Sequence, residues 1–206
     1  MERMIAARLQ NGPGPEGLPG THEWGSASPI AFCADWRGSN PDPERETELR
    51  VLWSPEHLFA RFRCRYRSIY VYEGRQGRRD RLWLRDVAEI FIQPEPDEIR
   101  KYREFEISPN GDWLDLEIAP GRKLILECDL KTRVEVDAQA RVWTAELGIP
   151  LKNLTGRFNP GVAWRANVFR IEGEEPSRFY SAWQPTRTPE PNFHVPERFA
   201  ELCFEL

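Results

Sequence analysis

The stretch YREFEISPNGDWLDLEIA (residues 102–119) decides the fold class. Two runs of alternating polarity, 102–108 and 113–119, flank Pro109-Asn110-Gly111-Asp112. Alternation with a period of two marks strand, because successive side chains point to opposite faces. Asn-Gly between such runs supplies the positive φ angles that a tight hairpin turn requires. With that turn, Phe105 and Ile107 are expected to pair toward the core with Leu114, Leu116 and Ile118. Glu104, Glu106, Asp115 and Glu117 then share the other face.

The same texture extends outward. RLWLRDVAEIFIQ (81–93) carries Trp83 among charges, in a predicted loop, and then a strand. That strand sets Ala88, Ile90 and Ile92 on one face and Val87, Glu89, Phe91 and Gln93 on the other. Upstream, TELRVLW (47–53) and 58–66 form a hairpin across Ser-Pro-Glu-His. In its second strand Leu58, Ala60, Phe62, Cys64 and Tyr66 face one way, and Arg61, Arg63 and Arg65, with Arg67 just beyond, the other. Further strands are expected at 123–129, 133–137, 141–149, 163–172, 178–183 and 199–206, with a short turn or helix at 150–154. The 18 prolines leave few windows for a long helix, and there is no room for the crossover helices of a parallel sheet. These patterns predict an all-β, antiparallel two-sheet sandwich of about ten or eleven strands over 28–206. Residues 1–27, dense in Gly and Pro, are expected to be an irregular arm laid over the surface.

Composition narrows the function. The 206 residues suit one sizeable domain, and a net charge of −4 gives no general attraction to nucleic acid or anionic membrane. No apolar run approaches the ~20 residues of a membrane span, and the N-terminus lacks the apolar region of a secretory signal. The expectation is a cytoplasmic protein unless a leader has been removed. Cys33, Cys64, Cys128 and Cys203 have no CxxC spacing and no adjacent histidine pair, so they read as buried thiols rather than zinc ligands. The arginine row at 61, 63, 65 and 67 could meet phosphate. Carboxylates at 46, 48, 89, 104 and 106 on neighbouring strands favour cross-strand charge pairs instead.

Nucleophile motifs and phosphate loops are missing from the sequence, so the aromatics carry the functional reading. There are eight tryptophans. Trp53, Trp143 and Trp164 sit within apolar alternation and read as core, and Trp183 reads as a ring pinning its loop. Trp83 and Phe193 lie beside polar or proline-rich segments. Exposed rings near Arg, Glu and Asn side chains suit a sugar, whose C–H face stacks on the ring while polar groups take its hydroxyls.

The ordered set LRVLWSPEHLFARF (49–62), LWLRDVAEIFIQP (82–94), YREFEISPNGDWLD (102–115), WTAELGIPLKNL (143–154), WRANVFRI (164–171) and YSAWQPTRTPEPNFHVPERFAELCF (180–204) resembles the family 9 carbohydrate-binding modules and their DOMON-like relatives. The resemblance implies a non-catalytic sandwich that binds a mono- or oligosaccharide and works beside a glycan-degrading enzyme. It implies two clamping rings, mapping onto Trp83 and onto Phe193, where the family has tryptophan. It further implies hydroxyl contacts from Glu89 and from the position of Glu106, where the family has arginine. Arg170 is expected nearby, and Arg85 and Asp86 are read as shaping the loop. A structural calcium occurs in the family, but no acidic loop here commits to one, and no cofactor is expected. Two alternatives remain. One is a glycoside hydrolase or sugar-modifying enzyme using the carboxylate-rich face. The other is the haem-binding use of DOMON sandwiches, whose Met–His pair would have to draw on Met1 or Met4.

Overall fold

A computed structural model of the chain describes residues 3–95, 97–98 and 100–206; Met1 lies outside them. Among the described residues, thirteen strands form in chain order: β1 (Arg3–Arg8), β2 (Ile30–Phe32), β3 (Thr47–Trp53), β4 (His57–Arg65), β5 (Val87–Gln93), β6 (Tyr102–Ile107), β7 (Trp113–Ala119), β8 (Arg122–Ile125), β9 (Lys131–Asp137), β10 (Val142–Pro150), β11 (Trp164–Glu172), β12 (Phe179–Ala182) and β13 (Ala200–Phe204). Helix among the described residues is limited to single 3-10 turns, one of them at Leu151–Asn153, within the segment expected to turn.

Pairing runs in one path, β8-β7-β6-β5-β11-β13-β1-β3-β4-β10-β9, with β12 on β11 and β2 on β3. The path curls so that its two halves face each other as a β-sandwich. Ala88, Ile90, Ile92, Phe105, Ile107 and Val168 from one half meet Ala60, Phe62, Cys64, Trp143, Ala145 and Leu147 from the other in one buried cluster. Each fully buried large apolar side chain there contributes roughly 1.5–3 kcal/mol. At the bend, Trp53, Phe158, Trp164 and Phe204 pack edge to face with centroids 4.9–5.6 Å apart for consecutive contacts. Trp53, Trp143, Trp164 and also Trp183 are buried in this core.

Three expectations need correction. First, the predicted irregular arm opens with β1, which lies parallel to both β13 and β3, so the sheet is mixed rather than purely antiparallel. Met4 and Ala6 face the inter-sheet core while Ala7 and Leu9 face a second cluster with Leu18, Trp24, Leu52 and Phe59. A strand covered on both faces reads as continuous apolar sequence and shows no alternation. Residues 9–27 do lie over the outer surface of β3 and β4 through that second cluster.

Second, the hairpin register is shifted by one. Ile107 pairs with Trp113, Phe105 with Asp115, and Glu106 with Leu114. Gly111 donates to the Ser108 carbonyl and Ser108 donates to that of Asp112, at 2.9 Å each. The loop is therefore three residues, Pro109-Asn110-Gly111, and only Gly111 takes a positive φ, +85°. A three-residue loop ending in a left-handed glycine is the bulged alternative to the two-residue turn, and a shift of one exchanges faces. Leu114 and Leu116 thus leave the inter-sheet core for the opposite surface, and Asp115 turns inward. There Asp115 accepts from Cys128 N at 2.6 Å and pairs with Arg78 at 2.9 Å.

Third, the arginine row pairs within its own half. Arg61 meets Glu146 at 3.5 Å, and Arg67 meets Asp42 and Glu44 at 3.0 and 3.1 Å. Glu89, Glu104 and Glu106 belong to the other half of the sandwich. The four cysteines are free thiols. Cys64 and Cys128 are buried, but Cys33 and Cys203 are only partly so.

Candidate functional site

The outer surface of β5, β6, β7 and β11 carries a third apolar cluster rather than a solvated face. Val87, Phe91, Tyr102, Leu114, Leu116, Phe169 and Ile171 lie there, covered in part by Leu82, Phe193 and Phe199. Between these loops and the sheet opens a cleft of about 390 Å³, lined by Trp83, Leu84, Glu89, Phe91, Glu104, Lys123, Ile171, Arg178, Tyr180, Pro191, Asn192, Phe193 and His194.

Trp83 stands on a short 3-10 turn, Leu82–Leu84, entered through a left-handed Arg81 at φ 56°. Leu82 is fully buried and anchors the turn, which leaves the Trp83 indole half-buried at the cleft. The loop is fastened from beneath. Arg178 Nη2 donates to the carbonyls of Trp83 and Arg85. Asp86 accepts from Tyr70 N at 3.1 Å and Gly173 N at 2.6 Å. The Arg85 guanidinium lies over Tyr70 and Tyr72 at 4.3 and 4.4 Å. Arg85 and Asp86 therefore hold the loop, and neither lines the cleft.

Phe193 also lines the cleft but is no free ring. It stacks on Phe169 at 4.2 Å with planes 12° apart and is 7 % exposed. One of its faces is thus spent on the sheet. Its neighbour His194 meets the Tyr102 hydroxyl through Nδ1 at 2.7 Å, and burial pushes the imidazole below its usual range. These contacts fix the segment 191–194 against the sheet.

The carboxylates are unusual. Glu89 on β5 pairs in register with Glu106 on β6, and Phe91 with Glu104. All three glutamates are at most 2 % exposed. Glu89 Oε1, Glu104 Oε2 and both oxygens of Glu106 have no hydrogen-bond donor. Burial, then the charge of Glu104, pushes Glu89 well above the usual carboxylate range. Burial, then Glu89 and Glu104, does the same to Glu106, whose neutral form can share its proton with Glu104. The nearest relief is Lys123 on β8, whose Nζ lies 3.7 Å from Glu104 Oε1 and 4.0 Å from the Trp83 ring centroid.

Of the five expected site residues, Trp83, Glu89 and Phe193 come together at the cleft. Glu106 lies behind them, fully buried beside Glu89 and outside the lining. Arg170 does not join. It pairs with Ala88 in register, so it points into the inter-sheet core, where it lies over Trp143 at 4.9 Å and meets Glu172 at 3.3 Å. The period-two rule had the signal: 170 shares parity with core positions 166 and 168, and Phe169 lies on the opposite face, in the outer cluster.

Sequence reasoning missed Phe91, Lys123, Arg178, Tyr180, Asn192 and His194 as wall residues, and read Glu104 only as part of a charged face. Glu104 was accessible by parity with Glu106. Lys123 and Arg178 depend on pairing and on loop placement that no local pattern encodes. Among the described residues, no group of three or more His, Cys, Asp or Glu is arranged to hold a metal ion. Met4, the other methionine considered as a haem ligand, is 1 % exposed within the core.

No family model matches the chain. It is 23% identical over 180 residues to an extracellular protein of Arthroderma benhamiae, covering 79% of this chain and 80% of that one. Its fold matches a crystal structure from Bacteroides uniformis, provisionally assigned to carbohydrate binding, with a TM-score of 0.81, 17% identity and 99% of each chain covered. It also matches a family 9 carbohydrate-binding module from Caldicellulosiruptor kristjanssonii in complex with cellotriose, with a TM-score of 0.72, 12% identity and coverage of 99% and 94%. The same organism's module in complex with glucose gives 0.69, 13% identity and coverage of 99% and 96%. The fold is that of the family 9 modules.

Proposed function

We propose that the protein is a non-catalytic carbohydrate-binding domain whose cleft holds a sugar unit against Trp83, with Glu89 and Glu104 accepting from its hydroxyls. The observation that carries this reading is the pairing of a half-buried indole with two buried carboxyl groups, each with one oxygen (Glu89 Oε1, Glu104 Oε2) that lacks a donor, all on one cleft. A sugar supplies both complements, an apolar C–H face for the ring and a fan of O–H donors for the oxygens. The sugar-bound neighbours in the same fold support it. Phe193 acts from below, as the packed wall that fixes the cleft's width. A module of this kind would serve by holding a glycan-degrading enzyme, attached or separate, near its substrate.

Titration calorimetry with soluble oligosaccharides tests the reading. Binding should weaken up to about tenfold in Trp83→Ala, since one stacked ring contributes roughly 0.5–1.5 kcal/mol. Unchanged affinity in that variant, or no binding across a broad panel, would defeat it.

The raised Glu89 supplies a specific reason to weigh a glycosidase, because an acid held neutral is what such enzymes need. Its acid–base partner on the cleft would be Glu104, since Glu106 lies outside the lining. Turnover of chromogenic glycosides that vanishes in Glu89→Gln would favour catalysis over binding.

A further inference from the structure

The cleft already holds an ammonium. Lys123 Nζ sits 4.0 Å from the Trp83 centroid and 3.7 Å from Glu104 Oε1, so a π face and a buried carboxylate together receive a cation. Lys123 is tethered through a flexible, half-exposed side chain, 37 % accessible, whereas the side chain of Glu104 is buried. The receptor is thus built and the cation is movable. Independently, Glu89, 2 % exposed and on the same wall, keeps Oε1 without a donor. A buried carboxylate oxygen left unpaired is costly, and a charged donor compensates it better than a neutral one. The other cation of the wall, Arg178, directs Nη2 to two main-chain carbonyls.

We propose, on the footing of the sugar-binding reading, that the cleft selects an amino sugar with a free, protonated amine. Its ammonium takes the place of Lys123 between Trp83 and Glu104. An N-acetylated unit has lost that charge and carries added bulk, and a plain hexose offers only a hydroxyl at the same point. Lys123 then acts as an internal competitor that the ligand displaces.

Calorimetry with three oligosaccharide series, of glucosamine, of N-acetylglucosamine and of glucose, decides this. The glucosamine series should bind at least tenfold tighter, and its advantage should shrink as salt is raised, while binding of the neutral series should not respond. Glu104→Gln should erase the preference, weakening the glucosamine series at least tenfold more than the two neutral series, which lose only one hydroxyl contact. Lys123→Met, at a surface position that does not threaten folding, should tighten glucosamine binding severalfold. If neutral sugars bind through Trp83 as tightly as the amine, selectivity for the amine is wrong and sugar binding stands. If none of the three series binds, both readings fall.

Discussion

Replacing Glu106 with Gln should stabilise the protein near neutral pH and change it little in acid. Glu106 is fully buried, pairs in register with Leu114 on one side and Glu89 on the other, and receives no hydrogen-bond donor. Burial and the charges of Glu89 and Glu104 hold its proton on well above the usual range. An unfolded glutamate titrates near pH 4.3, to within about a unit. Below that value both states carry the proton and the group contributes no pH dependence. Above it, and until the native carboxyl ionises, the native state holds one more proton than the unfolded state. Stability then falls by about 1.4 kcal/mol for each pH unit from this group. Glu89 is shifted the same way, by burial and then the charge of Glu104, so it steepens the fall wherever it too keeps its proton. Gln has the shape of the neutral acid, no proton to lose, and an amide N–H to give Glu89 or Glu104. The difference between Glu106→Gln and wild type should therefore be near zero at the acid end and widen by about 1.4 kcal/mol per pH unit through the window. Urea unfolding at steps between pH 4 and 7, compared at equal m-values, measures it. Parallel pH profiles, or a variant less stable at neutral pH, would refute the assignment of a neutral buried Glu106.

Phe193→Ala should cost about 3 kcal/mol of stability, because the ring is 7 % exposed and stacked on Phe169, and should weaken sugar binding as well; urea unfolding and calorimetry read the two effects. Trp83→Ala should separate them, losing affinity with a much smaller stability loss, since the indole is only half-buried. Arg170→Met should destabilise by about 3–5 kcal/mol by leaving buried Glu172 without its Arg170 partner, with the sugar Kd of the folded protein unchanged; a Kd change without a stability loss would contradict its place in the core. Removal of residues 1–8 takes out the strand that joins β13 to β3, and should abolish the cooperative thermal transition seen by circular dichroism.

What the sequence made legible was local. Strands β3, β4, β5 and β11 announce themselves because each alternates over seven to nine residues. The loop carrying Trp83 is visible because an indole among charges precedes such a strand. The misses share one cause, dependence on a partner distant in the chain. β1 gains its buried status from β13, some two hundred residues on. Arg170 is the exception, since its parity with Ala166 and Val168 already placed it on the core face, where Trp143 and Glu172 enclose it. Lys123 enters the cleft only because β8 completes the sheet edge beside β7.

The loop at 109–111 shows how one residue of register reaches the chemistry. In the two-residue turn, Glu104 and Glu106 would share their face with Asp115 and Glu117, a solvated array of like charges. In the three-residue loop their cross-strand partners are Leu116 and Leu114, both almost fully buried. Apolar partners remove water, and water is what keeps a carboxylate ionised near pH 4. The displaced acids find cations elsewhere: Asp115 with Arg78, and Glu117 with Arg103 and Arg122 at 3.0 and 3.1 Å. Glu104 and Glu106 instead stand with Glu89, short of donors, behind a half-buried indole. The glycine that ends the loop, by allowing φ +85° at Gly111, thereby sets the apolar surroundings of the carboxyl groups behind the cleft. A side chain at that position would meet both the left-handed backbone penalty and the Arg75 guanidine, 3.1 Å from its Cβ. The turn that fixes the register of β6 and β7 also decides how strongly the cleft demands hydrogen-bond donors from a ligand.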